Sequence, residues 1–161
     1  MKWLGALLFV CASYLFGKKL SKDEEERLLS VDSLIRLLTY MKRRINSERT
    51  PLFELFSSFR DGYFERIGVL EEINLNRDIS EEKWERVLSL MSFDADIKTE
   101  LLRFFTELGT LQLEDQLKRI DYIVSLLSER QCRIKKELPD KQKTIKTVCL
   151  LAGMLMTIIL L

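Results

Sequence analysis

Two uncharged, mostly apolar runs bracket a charged middle, and this arrangement limits the folds open to the chain. The first run, WLGALLFVCASYLFG, covers residues 3–17, and the second, TVCLLAGMLMTIILL, covers residues 147–161. An α-helix of about 15 residues rises about 22 Å, whereas the hydrocarbon core of a bilayer is about 30 Å thick. Each run alone is therefore short for a membrane span, but flanking lysines that reach the interface would lengthen the span.

The second run is apolar on every face of a helix, which suits lipid or a large protein core. The middle of the chain is too small to enclose two such helices, so we predict that both runs are membrane helices. For the first run the alternative is a secretory signal peptide. Against it, no small-residue cleavage pattern precedes a polar start, and Lys18 and Lys19 follow the run directly.

Positive charge predicts the orientation. Six lysines lie next to the ends of the two runs that face the middle of the chain, whereas only Lys2 and the amino terminus lie next to the opposite ends. The six are Lys18, Lys19, Lys22, Lys141, Lys143 and Lys146. Since basic residues flank membrane helices on the cytoplasmic side, the middle of the chain is predicted to be cytoplasmic.

Composition argues against several function classes. Lys plus Arg number 26 and Asp plus Glu 25, so no global field favours nucleic acid, and the KRR run at residues 42–44 is a solvated or partner-facing patch. The chain has no histidine, the commonest general base and zinc nitrogen ligand. The cysteines, at positions 11, 132 and 149, are expected to be reduced thiols. We therefore expect no catalytic, metal or cofactor site and no nucleic-acid partner.

The middle shows the helical period. Apolar residues over 22–46 recur at spacings of three and four, which predicts one long amphipathic helix. Thr50 is expected to cap a short second helix whose first residue is Pro51. A weaker helix is predicted over 64–73, followed by a helix that Ser80 caps and that turns Trp84 inward. Another helix over 95–108 is expected to stop at Gly109.

The most regular pattern begins after this glycine and follows a heptad seam with one polar member. The residues expected to pack are Leu113, Leu117, Ile120, Val124 and Leu127, with Gln131, Ile134 and Leu138 continuing the seam until Pro139 interrupts it. If the first and last helices run antiparallel, the acidic residues 23–26 lie beside the basic stretch 130–146. Both could instead be solvated helix faces.

The predicted fold is all-α. It consists of a cytoplasmic helical bundle with two long antiparallel helices, anchored by an N-terminal and a C-terminal transmembrane helix. The predicted domains are an N-terminal membrane helix over 1–19, the bundle over 20–143 and a C-terminal membrane helix over 144–161.

Short motifs along nearly the whole chain resemble the stage III sporulation protein AB family in order and spacing. They are KWLGALLFVCASYLFG with Gly5 and Gly17, ERTPL with Thr50, Pro51 and Leu52, the helix around Trp84, ELGTLQLEDQLKRI with Leu108, Gly109 and Gln116, and the apolar end with Gly153. The resemblance implies that the membrane glycines serve helix packing and the other motif residues structural or interface roles. Arg44 and Gln112 stand where the family usually has acidic residues, so the resemblance assigns no role to these two residues.

The resemblance implies a domain like those of the inner-membrane platform protein of type II secretion, located at the mother-cell membrane. The implied partners are the lipid bilayer, a secretion-type ATPase and other membrane proteins of the sporulation channel, and a homo-oligomer is compatible with it. The predicted function is a non-enzymatic platform of the channel complex between mother cell and forespore, which docks the ATPase. The alternative is a membrane-anchored adaptor or regulatory protein that captures a soluble partner through its heptad helix.

Overall fold

A computed structural model of the chain describes residues 2–48, 51–75 and 80–160. In these residues the regular elements are seven α-helices, which confirms the predicted all-α fold. They are α1 (Lys2–Glu48), α2 (Leu52–Ser58), α3 (Gly62–Arg66), α4 (Val69–Leu75), α5 (Glu81–Ser89), α6 (Ala95–Glu107) and α7 (Leu113–Leu160).

The chain divides into two compact units, and both long helices contribute to each. One unit is Met1–Glu26 with Cys132–Leu161, and the other is Arg27–Gln131, here called the helical core unit. These divisions fall at different positions from the predicted domain limits at residues 19 and 143.

Among the residues whose side chains the structure describes, every buried apolar one lies in the helical core unit. These residues run from Val31 to Leu127 and come from all seven helices or the turns beside them. Within this unit α1 and α7 run antiparallel, since Asp32 accepts a hydrogen bond from Gln131 and Lys42 pairs with Asp121. Burial of this apolar surface is the main force that stabilises the bundle.

The short helices follow the predicted ones, with one break. Where one helix was expected over 64–73, the structure has α3 and α4, which meet at Gly68 with a φ of +75°. A left-handed residue ends an α-helix, and glycine adopts this conformation without steric cost. Ser80 does occupy the position before α5, but its side chain makes no capping hydrogen bond.

Pro139 lies inside α7, where the sequence had suggested an interruption. A proline removes one backbone donor and leaves the carbonyl four residues earlier without its helical partner. Both Pro139 and Lys135 are exposed, so water can bind that carbonyl and the helix continues.

In the other unit, the acidic residues of α1 contact the basic stretch of α7, as predicted. Lys141 Nζ lies 3.5 Å from Glu24 and 3.1 Å from Glu137, and Gln142 donates to Glu25 at 2.8 Å. The hydrogen bond to Glu137 raises the pKa of Lys141, and Glu24 adds to this effect.

Over the described residues, no helix contains a stretch long and apolar enough to cross a membrane. The two membrane helices therefore stay predictions. The surroundings of Gly5, Gly17 and Gly153, which were expected to pack membrane helices, lie outside what the structure describes.

Candidate functional site

The candidate site is an open groove of about 790 Å³ in the helical core unit. It lies where the ends of α1 and α6 meet the starts of α2 and α7. Its walls are mostly apolar, and the lining residues are Ile45, Pro51, Leu52, Thr106, Leu108, Gly109, Thr110, Leu111, Leu113 and Gln116. We call this feature the terminal groove.

The terminal groove joins two motifs that lie more than fifty residues apart in the sequence. Pro51 and Leu52 belong to the first motif, and Leu108, Gly109 and Gln116 belong to the second. Thr50, the remaining member of the first motif, lies outside the described residues. The sequence singled out both motifs, but only the fold shows that they form one surface.

Gly109 explains how the two motifs approach so closely. It has a φ of +89°, and a Cβ atom built on it would lie 2.9 Å from Leu52 Cδ1. Any side chain at this position would therefore meet backbone strain and would require the end of the Leu52 side chain to shift. The turn is closed by a hydrogen bond from the Thr110 N–H to the Glu107 carbonyl at 3.2 Å, while Leu108 is buried beneath it.

Pro51 occupies the position before α2, one residue earlier than predicted. Its carbonyl accepts from the Leu55 N–H at 3.2 Å and so begins the helical hydrogen bonds. Its fixed φ suits this entry into the helix. The proline therefore sets the direction in which Leu52 reaches Gly109.

Gln116 supplies a polar group in the apolar wall. Its side chain is 9% exposed, and it makes no hydrogen bond to any residue that the structure describes. A carboxamide can donate and accept at once, as a peptide backbone does. The amide atoms of Gln116 are not among the buried side-chain atoms that lack a partner, so they are open to the groove and can bond to a ligand there.

Two exposed leucines form the outer edge of the terminal groove. Leu111 and Leu113 each have 39% of their surface exposed. Together with the apolar lining they make a surface that suits a large apolar side chain of a partner protein.

Trp84 lies away from the terminal groove, in the core. Its ring stacks on Phe105 at a centroid distance of 4.3 Å and an interplanar angle of 13°, and it also contacts Phe56 at 5.6 Å. Next to it, the buried Lys83 donates to the Ile73 carbonyl at 2.7 Å and so satisfies the end of α4. These contacts give Trp84 a packing role.

The buried line on α7 differs from the predicted heptad seam. Ile120 and Leu127 are fully buried, as is Ile123, which the seam did not include. Leu117 and Val124 are half-buried, and Leu113 is at the groove edge. The buried residues 116, 120, 123 and 127 follow steps of four, three and four, a pattern that the sequence also carries.

A polar cluster that sequence analysis missed ties α3 to α1. Asp61 caps α3 by accepting from the Tyr63 and Phe64 N–H groups, both at 3.1 Å, and its other oxygen lies 2.7 Å from Arg36. Burial alone would raise the pKa of Asp61, but the hydrogen bonds from Phe64, Ser33 and Arg36 and the charge of Arg36 lower it below its usual value.

The described residues contain no group of three or more His, Cys, Asp or Glu placed to hold a metal ion. The terminal groove is likewise lined by uncharged residues. Its lining offers apolar side chains, the hydroxyls of Thr106 and Thr110, and the amide of Gln116.

Comparison with known proteins identifies the family. A family model described as Stage III sporulation protein AB matches residues 2–161. The chain belongs to this family. No curated protein and no solved structure matches it significantly. Membership in the stage III sporulation protein AB family identifies a sporulation protein and associates its location with sporulation.

Proposed function

We propose that the chain is a non-enzymatic platform of the sporulation channel complex and that the terminal groove docks a secretion-type ATPase in the mother-cell cytoplasm. The observation that carries the proposal is the meeting of both family motifs at this one surface. Family membership over residues 2–161 and the absence of histidine from the sequence support it further.

The groove has the features of a docking site for a helix or an extended segment. An apolar anchor of the ATPase would enter between Leu52 and Leu111, and Gln116 would bond to the backbone beside the anchor. Gly109 keeps the floor of the groove free of a side chain. The rigid bundle beneath, with its buried aromatic residues, holds these elements in position.

We test the docking surface with Leu111→Arg and compare it with Leu90→Arg. Leu90 does not line the groove and is 43% exposed, which is close to the 39% of Leu111. We expect Leu111→Arg to reduce ATPase binding by the full chain at least about tenfold, since truncating a hot-spot residue costs about 2 kcal/mol or more and tenfold corresponds to about 1.4 kcal/mol. Leu90→Arg should bind normally, and circular dichroism should show equal helix content for both.

Failure of the wild-type chain to bind the ATPase would overturn the platform proposal. Equal ATPase binding by both variants would show that the terminal groove is not the docking surface. In the second case, the alternative function as an adaptor gains support from α7, where Tyr122 is 50% exposed beside the guanidinium of Arg119. Loss of a different soluble partner on Tyr122→Ala would then identify the adaptor surface.

The platform proposal includes attachment to the membrane through the two apolar ends. The exposed apolar residues near the end of α7 support this part. The test is extraction of isolated membranes with alkaline carbonate, which releases peripheral proteins. We expect the full chain to stay with the membrane pellet, and its release would contradict membrane anchoring.

A further inference from the structure

Positive charge is concentrated in the unit that contains both apolar runs. Residues 1–26 and 132–161 together carry ten Lys and Arg against six Asp and Glu. The helical core unit, residues 27–131, carries 16 against 19. The chain is nearly neutral as a whole, so this difference is a segregation of charge between its two units.

Six lysines of this positive unit are exposed and lack an ion pair with any residue that the structure describes. They are Lys18, Lys19 and Lys22 on α1 and Lys135, Lys136 and Lys143 on α7. Lys141 of the same unit, in contrast, is paired with two glutamates. Six unneutralised ammonium groups in one small unit attract a multivalent anion or an anionic surface.

The order of charges along both helices indicates which surface this is. Lys18, Lys19 and Lys22 on α1 and Lys143 on α7 lie between the apolar run of their helix and the contact of Glu24 with Lys141, whereas Lys135 and Lys136 lie beyond that contact. Lys22 and Lys143 are each two residues, or about 3 Å, from that contact. The acidic residues 23–26 follow the lysines on α1 and so lie farther from the apolar run. Cations are thus next to the apolar runs and carboxylates are kept away from them.

Beyond Lys143, α7 has an exposed apolar face. Val148, Leu151, Met154 and Leu155 are between 53% and 60% exposed, and their spacing of three and four places them on one side of the helix. Large apolar side chains at this exposure mark a surface that contacts lipid or another protein.

We propose that Lys18, Lys19, Lys22 and Lys143 form a basic collar that binds the phosphate groups of anionic lipids where the apolar runs enter the bilayer. The proposal rests on the membrane attachment in the proposed function and adds a lipid class to it. An ammonium group on a flexible stem reaches the headgroup layer while its methylenes stay in apolar surroundings. Each lysine near an anionic leaflet then adds to the attraction.

The test uses the full chain in a mild detergent that contains equal amounts of phosphatidylglycerol and phosphatidylcholine. After gel filtration, mass spectrometry measures both lipids that stay with the protein. We expect wild-type protein to retain phosphatidylglycerol in preference to phosphatidylcholine by roughly fivefold or more, which corresponds to the contribution of at least one lysine. Raising the salt concentration to about 1 M, where the Debye length is about 3 Å, should reduce this preference.

Lys18→Gln/Lys19→Gln should lower the lipid ratio toward one while total retained phospholipid stays unchanged. The matched control, Lys98→Gln/Lys118→Gln in the helical core unit, should keep the wild-type ratio. A wild-type ratio of phosphatidylglycerol to phosphatidylcholine of one, or an equal fall of this ratio in the control, would overturn the proposed collar. Total retained phospholipid reports membrane attachment separately, so failure of the proposed function appears as loss of both lipids.

Discussion

At the scale of single residues, Gly109 meets two conditions that Gly62 and Gly68 meet singly or not at all. Gly109 has a positive φ and a Cβ atom on it would press on Leu52 Cδ1, Gly68 has a positive φ with no atom near its missing Cβ, and Gly62 has neither constraint. An L-residue in the left-handed region costs about 1 to 2 kcal/mol, and shifting the Leu52 side chain off its rotamer costs about 0.5 to 1.5 kcal/mol. Comparing substitutions at the three glycines therefore separates the cost of backbone strain from the cost of steric crowding.

We predict that Gly109→Ala destabilises the chain by about 1.5 to 3.5 kcal/mol and Gly68→Ala by about 1 to 2 kcal/mol. Gly62→Ala should be within about 0.5 kcal/mol of wild type, since it changes an exposed residue. Urea unfolding followed by circular dichroism measures all three. Equal costs at residues 109 and 68 would mean that Leu52 moves aside and that the close approach is not a constraint.

Asp61 allows a prediction about how stability depends on pH, because its charged carboxylate is bound by Arg36 in the native state. Its folded pKa is lowered, so its contribution to stability is present above the unfolded pKa and is lost as pH falls through the folded pKa. Asp61→Asn keeps an acceptor for the cap but removes the charge that Arg36 binds. We expect a loss of about 1 to 3 kcal/mol at pH 7, since hydrogen bonds to charged groups contribute about this much.

The cost of Asp61→Asn should shrink as the pH of the unfolding experiment is lowered below about 4, near the ordinary pKa of an aspartate. Asp115→Asn is the control, because Asp115 is exposed and pairs only loosely with Lys118 at 3.7 Å. It should change stability by under about 1 kcal/mol at either pH. A cost of Asp61→Asn that does not vary with pH would show that the amide fails as a cap and that the charge is not involved.

At the scale of elements, the packing of α7 gives the next prediction. Ile120 and Ile123 are fully buried, whereas Leu113 is 39% exposed at the groove edge. Ile120→Ala and Ile123→Ala should each cost about 2 to 5 kcal/mol, and Leu113→Ala should cost under about 1.5 kcal/mol. Thermal unfolding distinguishes the two groups. Greater sensitivity at Leu113 than at Ile123 would favour the heptad seam over the buried line seen here.

Periodicity predicted the long helices well and their details less well. It indicated the helix over 22–46, which lies within α1, and the helices of Trp84 and Phe105, because amphipathic patterns are local. It did not separate Ile123 from Val124, since the seam and the buried line differ by only about 100° on the helix. It missed the break at Gly68, where a single left-handed residue decides between one helix and two.

At the scale of the whole molecule, the terminal groove shows what a local pattern cannot predict. Its lining comes from residues 45–52 and 106–116, and the contact of Gly109 with Leu52 depends on the packing of all elements between them. The pair of Asp61 with Arg36, 25 residues apart, is equally non-local. The sequence marked the individual motif residues, but their assembly into one surface requires the fold.

The distribution of buried residues predicts that the helical core unit folds by itself. Among the residues whose side chains the structure describes, all the buried apolar ones lie between Val31 and Leu127. The ion pairs near both ends of this unit also have both partners inside it, because Arg27 and Arg130 both contact Asp94. A fragment of residues 27–131 therefore keeps the whole described core and the terminal groove.

We predict that this fragment unfolds cooperatively on heating, with a van't Hoff enthalpy of about 70 kcal/mol, as expected for a domain of its length. Differential scanning calorimetry and circular dichroism should agree on the transition. The control is residues 51–131, which lack the buried residues of α1 from Val31 to Ile45 and should show no sharp transition. A gradual, low-enthalpy melt of the 27–131 fragment would instead mean that its core needs the helices of the other unit to form.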